Sequence, residues 1–492
     1  MSIYNSNFKI EKIFSALKDR KKEVRFIGVL GSGMYPLARL LIDFGYKVSG
    51  YDRSAIHSRR NNLSENTAKD RNCLDLDDKN DIRLCEHTEV DWKSVGLAVY
   101  SLAIEESDPE ILAARSHGVL LISRAQLLGA LMSEAKVRIS VSGSHGKSTT
   151  TAIIDRILTA ADMQPTSVSG ATLSSGIPYR KGSGEVFLAE ACEYKDSFLS
   201  LSPTHQIITS VELDHTDYFH SEDQIRRSFL IAAERAETVI INRDDRLASD
   251  IALELKRGGA KKHRLITYGE SEGADYRFRI DGRDGEMTRF SVISKERIFD
   301  LETALIGKYN LSNITAAIAL CDNLGIDPET VKEAVGSFHS VDRRMTLLSR
   351  INGVPVYYDY AHHPTEIKAV ITALKGRYGS ITVIFRPHTF SRTFSLWQDF
   401  IAALSKADFT ILLDIYPARE EPIDGVNSEK LAKAIPGAVF ASMADAPRLA
   451  LASPRGAIAL LGAGEVDGVR DELIRLGDNN NENKERVKSD RT

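Results

Sequence analysis

Hydrophobic and polar positions repeat one pattern along the chain, a short apolar strand, a turn and an amphipathic helix, and they do so in three successive series. The first series opens with VRFIGVL at 24–30, turns at Gly31-Ser32-Gly33, runs through the helical stretch MYPLARLLIDFG and returns in YKVSGYD, ending at Asp52. GLAVYSL near 96–102 and VLLI at 119–122 continue it to about residue 135. The second series begins with VRISVSG at 137–143 and passes through EVFLAEA, HQIITSVEL and ETVIINR. Strands that alternate with helices predict parallel sheets. Residues 260–305 show short polar-apolar alternations instead, such as YRFRI and RFSVI, and predict a small antiparallel flank on the second sheet. A third series, VPVYYDY, SITVIF, DFTILLDIY, AVFA and GAIALLGAG, follows Ser340. The pattern therefore predicts an α/β chain of three domains, 23–135, 136–340 and 341–477. A polar segment at 1–22, a solvated leader or first helix, precedes them, and a polar tail at 478–492 without apolar periodicity is expected to be disordered.

Composition narrows the partners. The 64 basic and 68 acidic residues nearly cancel, so no overall field favours nucleic acid or an anionic membrane. No basic n-region leads into an apolar stretch at Met1-Ser2-Ile3-Tyr4-Asn5, and no apolar run is long enough to span a bilayer, so a cytoplasmic chain without membrane insertion is expected. Cys73, Cys85, Cys192 and Cys321 lie far apart without metal-ligand spacing, which fits ordinary thiols in a reducing compartment.

The strongest chemical signal is Gly143-Ser144-His145-Gly146-Lys147-Ser148-Thr149-Thr150, set directly after an apolar strand and opening the helix TAIIDRILTAA. Backbone N–H groups of such a loop and the helix N-terminus bind phosphate oxygens. Lys147 is placed to neutralise β/γ charge and the Ser148 hydroxyl to reach magnesium. The loop is a variant of the usual phosphate loop, because the glycine expected near 141 is missing.

Its form, G-x-H-G-K-S-T-T, resembles the ATP loop of the Mur ligases, and the resemblance extends along nearly the whole chain. Ala189-Glu190-Ala191-Cys192-Glu193, followed by Asp196-Ser197-Phe198, is similar to the family's acidic strand end, and Glu212-Leu213-Asp214-His215-Thr216-Asp217 to its D-H-x-D turn. The resemblance implies Glu190 and His215 as magnesium ligands beside Ser148. Gly307-Lys308-Tyr309-Asn310-Leu311-Ser312-Asn313 resembles the G-x-H-N-x-x-N motif, which implies Asn310 and Asn313 at the adenine and puts Tyr309 where the family has histidine. Asn310 as the N-cap of the following helix is the plainer reading, and it can coexist with nucleotide contact. By the same resemblance Arg344 contacts the γ-phosphate, Asp359 the ribose, and His363 and Arg392 the amino acid. Gly31, Ser32, Gly33 and Met34, with Asp52 and Ser101, would hold the UDP substrate, although Leu30 stands where another glycine is usual and Tyr35-Pro36 is atypical.

Four features favour the alanine-adding branch of that family, one of them the Gly31-Ser32-Gly33-Met34 turn, which is similar to that branch's UDP-binding turn. Phe385-Arg386-Pro387-His388 with Arg392-Thr393 resembles its F-x-P-H-x-x-x-R-T segment, and Asp414-Ile415-Tyr416-Pro417-Ala418-Arg419-Glu420 resembles its D-I-Y-P-A-R-E loop. Phe229 occupies the place where other branches carry a carbamylated lysine. The resemblance thus implies a Rossmann-like UDP-binding domain, a central P-loop ATPase-like domain and a Rossmann-like C-terminal domain. It implies ATP and Mg2+ as cofactors, UDP-N-acetylmuramate and L-alanine as substrates, and amide formation through an acyl phosphate, with Lys147, His215, Arg344 and His363 as catalytic residues. The alternatives are a murein tripeptide ligase with the same acceptor, a nucleotide-binding paralogue without ligase activity, and a dinucleotide oxidoreductase built on the first domain. The last explains Gly31 to Asp52 and leaves the Lys147 loop without a role.

Overall fold

A computed structural model describes residues 10–53, 74–75, 82–173, 175–257, 263–418, 420–452 and 455–477. The tail at 478–492 and Arg419 lie outside them. Among the described residues there are three sheets, as the three series predict.

In the first sheet the order is Leu74–Asp75, Ile82–Leu84, Lys47–Tyr51, Glu23–Ile27, Val95–Tyr100 and Leu120–Ser123, parallel apart from the Leu74–Asp75 edge. The winding reverses between Glu23–Ile27 and Val95–Tyr100, the place where open parallel sheets bind ligands beyond their strand ends. Of the two readings of the first 22 residues, residues 10–18 take the first-helix one, and residues 1–9 lie outside the described residues. The helix is Ile10–Lys18, whose Ile13 and Leu17 are buried in the core, because apolar residues four apart share one helix face. Pro36 sits in the first turn of the helix Tyr35–Asp43, where no backbone N–H is needed, so the unusual Tyr35-Pro36 pair suits a helix start.

Within the Glu23–Ile27 strand, Arg25 is wholly buried. Its guanidinium donates to Glu110 at 2.9 and 3.0 Å and to the Cys85 carbonyl at 2.9 Å, and it lies 5.6 Å from the Trp92 ring. Burial raises the Glu110 pKa even though Arg25 opposes it.

In the second sheet the strand Val137–Ser142 is central, flanked by Val186–Glu190 and His205–Ile208, all parallel. Beyond Arg264–Gly269 follow Tyr276–Asp284, Met287–Ser294 and Ile298–Thr303 in chain order. Arg264–Gly269 pairs parallel with its neighbours on both sides, Tyr276–Asp284 included, so the antiparallel flank expected over 260–305 does not begin there, and the three strands that follow are consecutive neighbours joined by short turns. The third sheet runs Thr346–Ile351, Val354–Asp359, Ala457–Leu461, Ile381–Phe385, Phe409–Leu412 and Ala438–Phe440, with only the first strand antiparallel.

The chain divides into two compact units. One holds the first two sheets, and the other holds the third sheet together with 283–288 and 303–311. Among the described residues no helix is long and apolar enough to cross a membrane.

Candidate active site

Gly143 and Gly146 shape the loop that leaves the central strand. Gly143 has φ +145°, and a Cβ there would lie 2.0 Å from Thr209 Oγ1 and 2.9 Å from the Ser210 nitrogen. Gly146 has φ +82°, and a Cβ would lie 2.6 Å from Asn313 Oδ1. Both positions therefore exclude side chains. The loop is stitched to the strand end at 209–212: the Ser144 N–H donates to the Ser210 carbonyl at 2.9 Å, the His145 N–H to Ser210 Oγ at 2.9 Å, and the Glu212 N–H to Ser144 Oγ at 2.8 Å. His145 Nε2 lies 2.7 Å from Glu212 Oε2. Helix Lys147–Ala160 starts directly after Gly146, so its N-terminal amides and positive dipole end face the loop, with Ser148 and Thr149 in its first turn.

Lys147 is held by a partner that sequence reasoning passed over. Its ammonium donates to the Gly143 carbonyl and to both Glu193 oxygens, at 3.1 and 3.0 Å, and the Glu193 side chain is only 1 % exposed. Burial pushes the Lys147 pKa down, but the charge of Glu193, with Cys192 and Glu190 behind it, outweighs this and raises it to about 12. His215 Nε2 lies 3.9 Å from Glu193 Oε1, and its ring packs on Tyr194 with centroids 4.8 Å apart. His215 sits at φ +53°, a left-handed turn conformation that its bond from the N–H to Asp214 Oδ1 at 2.7 Å supports. Glu190 is engaged elsewhere: its Oε2 accepts from the Gly170 N–H at 2.8 Å and from Ser169 Oγ at 3.1 Å. Of the two glutamates three residues apart, Glu193 is the one drawn against Lys147 and His215. Phe229 is fully buried against Phe198, so this position is core.

At the first sheet the glycine turn is tight. The Met34 N–H donates to the Gly31 carbonyl at 2.8 Å and its side chain is buried, so Met34 supports the turn from within. A Cβ on Gly33 would lie 3.1 Å from Arg124 Nη1, which places an arginine over the turn that the sequence reading did not single out. Asp52 accepts from the Leu30 N–H at 3.2 Å and ties the next strand end to the turn. Gly28, at φ +81°, was also missed, and a Cβ there would meet Ile104 at 2.7 Å and Ser101 at 3.8 Å. Ser101 thus stands at the point where the winding reverses.

In the second unit, the Asp359 carboxylate accepts from the backbone N–H groups of Met345 and Ala361, each at 2.7 Å. Burial raises its pKa to about 6 against the opposing charge of Arg344. The Arg344 guanidinium lies 5.2 Å from the Tyr360 ring. Tyr309 packs under Gly307, and burial, with Asp359 nearby, pushes its phenol pKa far up. Asn310 is buried inside helix Lys308–Asn323 and donates from Nδ2 to the Ile306 carbonyl at 2.9 Å, so it is not the helix cap. His363 caps helix Pro364–Tyr378 and is buried.

The two branch-like segments meet. The Thr389 N–H donates to the Tyr416 carbonyl and the Tyr416 N–H to the Pro387 carbonyl, each at 2.8 Å. His388 stacks on Tyr416 at 5.6 Å, and Arg392 Nη1 lies 3.4 Å from His388 Nδ1. Burial, reinforced by the Arg392 charge, lowers the His388 pKa to about 4. The folded state thus binds this proton more weakly than the unfolded chain. Stability from His388 is complete above the ordinary histidine range and is lost as pH falls from about 6.5 towards 4. A His388→Gln protein should therefore show a flatter rise of Tm with pH across that window. Equal slopes for the two proteins would contradict the buried neutral imidazole.

Comparison with known proteins agrees with this layout. Residues 23–136 match the family model described as Mur ligase family, catalytic domain, residues 141–321 the Mur ligase middle domain, and residues 343–464 the Mur ligase, glutamate ligase domain. A UDP-N-acetylmuramate–L-alanine ligase from Anaeromyxobacter dehalogenans is 33% identical over 481 residues, 94% of this chain and 99% of that protein. One from Agathobacter rectalis is 36% identical over 418 residues, 83% and 86% of the two chains. Among solved structures, a UDP-N-acetylmuramate-alanine ligase from Thermotoga maritima superposes with a TM-score of 0.72 at 23% identity, covering 92% of this chain and 98% of that one. A murein peptide ligase from Psychrobacter arcticus reaches a TM-score of 0.61 at 19% identity, covering 92% and 98%. At those identities the structures speak for the fold alone, whereas the family models and the curated relatives leave one reading: the chain belongs to the Mur ligase family.

Proposed function

We propose that this enzyme is an ATP-dependent ligase that joins the lactoyl carboxylate of UDP-N-acetylmuramate to L-alanine, releasing ADP and phosphate, in peptidoglycan precursor synthesis in the cytoplasm. The observation that carries the reading is the near end-to-end match to curated ligases of that specificity, 94% of this chain against 99% of the relative. The three sheets then serve as UDP-substrate, ATP and amino-acid domains. A carboxylate resists attack by an amine until its oxygen becomes a leaving group, so the γ-phosphoryl moves onto it first and the amine then attacks the acyl phosphate. Such transfers are mainly a matter of positioning and charge stabilisation.

The residues fit these ligands. Gly143 and Gly146, crowded by Thr209, Ser210 and Asn313, fix the shape of the loop, and helix Lys147–Ala160 opens directly after it with its N-terminal amides suited to phosphate oxygens. Lys147, largely buried against Glu193, supplies fixed positive charge. Arg344, Asn310, Asn313 and Asp359 are the further nucleotide contacts by motif, and His363 and Arg392 the amino-acid contacts. The Ser148 hydroxyl, the carboxylates of Glu190 and Glu193 and the His215 imidazole form a donor set suited to magnesium, which when bound would neutralise charge on the phosphates.

Glu190→Ala, Glu193→Ala and His215→Ala should each raise the magnesium concentration needed for half-maximal rate, the carboxylate losses more than the imidazole because they also remove charge. Unchanged magnesium titrations in all three would remove this donor set. The specificity is checked by a product assay across the standard amino acids with UDP-N-acetylmuramate and ATP. Alanine should be the amino acid incorporated fastest, whereas incorporation of a whole murein tripeptide in its place would assign the chain to the tripeptide ligases.

A further inference from the structure

The strand Tyr179–Arg180 in the second sheet is two residues long, yet three consecutive side chains leaving it reach the helices behind both ligand turns of the first unit. Side chains of extended backbone alternate, so Tyr179 and Lys181 face one way and Arg180 the other. Arg180 forms a fork on Asp155, Nε to Oδ1 and Nη2 to Oδ2, each at 3.1 Å. Asp155 is fully buried and lies on helix Lys147–Ala160, which opens at the phosphate loop. Lys181 Nζ donates to the Asp43 carbonyl at 2.6 Å, at the last residue of helix Tyr35–Asp43, which opens just after the Gly31–Gly33 turn. A lysine there also suits the negative end of the helix dipole. The Tyr179 hydroxyl shares Arg39 and Asp43 of the same helix, and burial is the main cause of its raised pKa.

The segment has little slack. A Cβ on Gly182 would lie 2.1 Å from the Gln164 carbonyl oxygen, and one on Gly184 2.0 Å from that of Met163. Tyr179 also pairs with Val168, and the chain beyond Val168 holds Glu190 through Ser169 and Gly170.

From this placement we infer that Tyr179, Arg180 and Lys181 are positioning residues that couple the acceptor site at the glycine turn to the ATP site, so that either ligand tightens binding of the other. The inference rests on the proposed function. A ligand at Gly31–Gly33 fixes helix Tyr35–Asp43, which fixes the strand and through Arg180 the helix of the phosphate loop. The second ligand then binds a scaffold already ordered. Close-packed elements pass such constraints on because they do not deform continuously. Linkage requires the effect to be reciprocal.

The test is calorimetry on the full-length enzyme with magnesium, using a non-hydrolysable ATP analogue and UDP-N-acetylmuramate, each titrated alone and with the other at saturation. The wild type should show the same affinity gain in both directions, on the order of 5- to 150-fold. The double change Tyr179→Phe with Lys181→Met cuts one face of the clip. The double change Asp155→Leu with Arg180→Met cuts the other without stranding a buried charge. In both proteins the gain should fall towards unity while each ligand alone keeps its Kd within about twofold, since no ligand is touched. A gain that survives in both variants, or a wild type with no gain, overturns the coupling and leaves the proposed function intact. Failure of the wild type to bind either ligand would overturn the function and the coupling together.

Discussion

A Lys147→Ala enzyme should turn over about 100- to 1000-fold more slowly, the usual consequence of removing one fixed charge from a transferring phosphoryl group. Two effects combine in that loss. The positive charge offered to the phosphates disappears, and Glu193, 1 % exposed, loses the ammonium that balances its buried charge. The double variant Lys147→Ala with Glu193→Ala separates them: assayed without magnesium, it should bind nucleotide more tightly than Lys147→Ala alone, while the rate with magnesium stays low because a metal donor has gone as well. Hydroxylamine places the defect in the sequence of steps. With ATP, magnesium and UDP-N-acetylmuramate but no alanine, the wild type should yield a UDP-muramoyl hydroxamate and the Lys147→Ala enzyme none. Arg392→Ala, on the segment that meets Tyr416, should still yield it while failing with alanine. Loss of hydroxamate in both variants would assign Arg392 to phosphoryl transfer. Acyl or phosphoryl label on the denatured protein would require a covalent enzyme step that none of these residues is placed to perform.

Gly143→Ala should weaken nucleotide binding by at least about 100-fold, because the loop cannot keep its shape. The new Cβ would stand 2.0 Å from Thr209 Oγ1 and 2.9 Å from a backbone nitrogen, and φ is +145°. Overpacking and a strained φ each cost about 1 to 3 kcal/mol, so displacing the loop is the cheaper response, and the phosphate cradle goes with it. Gly118→Ala is the matched control. Gly118 also has positive φ, +68°, but nothing lies within 4 Å of its Cβ position. It should lose about 1 kcal/mol of stability and keep its nucleotide affinity. Full nucleotide binding by the Gly143→Ala protein would mean that the loop does not form the phosphate site.

The three series of strands and the position of the Lys147 loop were legible because both rest on local pattern: apolar runs of strand length, glycines and a helix start. What sequence left open depends on direction in space. Glu190 and Glu193 are near-equivalent as letters, but Lys195 and Asp196 adopt left-handed backbone at φ +50° and +57° just beyond the strand, and Glu193 packs against Lys147 while Glu190 holds the Ser169-Gly170 turn. Gly28 was hidden in what looks like continuous strand, since Phe26-Ile27-Gly28-Val29-Leu30 has no polar break, and only its φ of +81° shows that the strand ends there. Arg124 opens a helix some 90 residues from the turn it covers, beyond any local window. The meeting of the Phe385–Arg392 and Asp414–Ala418 segments follows from adjacent parallel strands, Ile381–Phe385 and Phe409–Leu412, whose ends lie side by side once the sheet order is known.

Beneath the first sheet the Arg25–Glu110 pair has an evolutionary consequence. Removing either partner alone strands a buried charge at about 3 to 5 kcal/mol, while replacing both by apolar residues of similar volume is often neutral or better. Against the 5 to 15 kcal/mol on the order of which a domain is stable, each single step comes close to unfolding it. The Cys85 carbonyl, which accepts from the same guanidinium, widens the gap by losing its donor in the first step. Lineages descending from this chain should consequently keep both residues or lose both, with singly substituted descendants rare, so that the pair persists through the depth of the valley around it whatever it contributes at the summit.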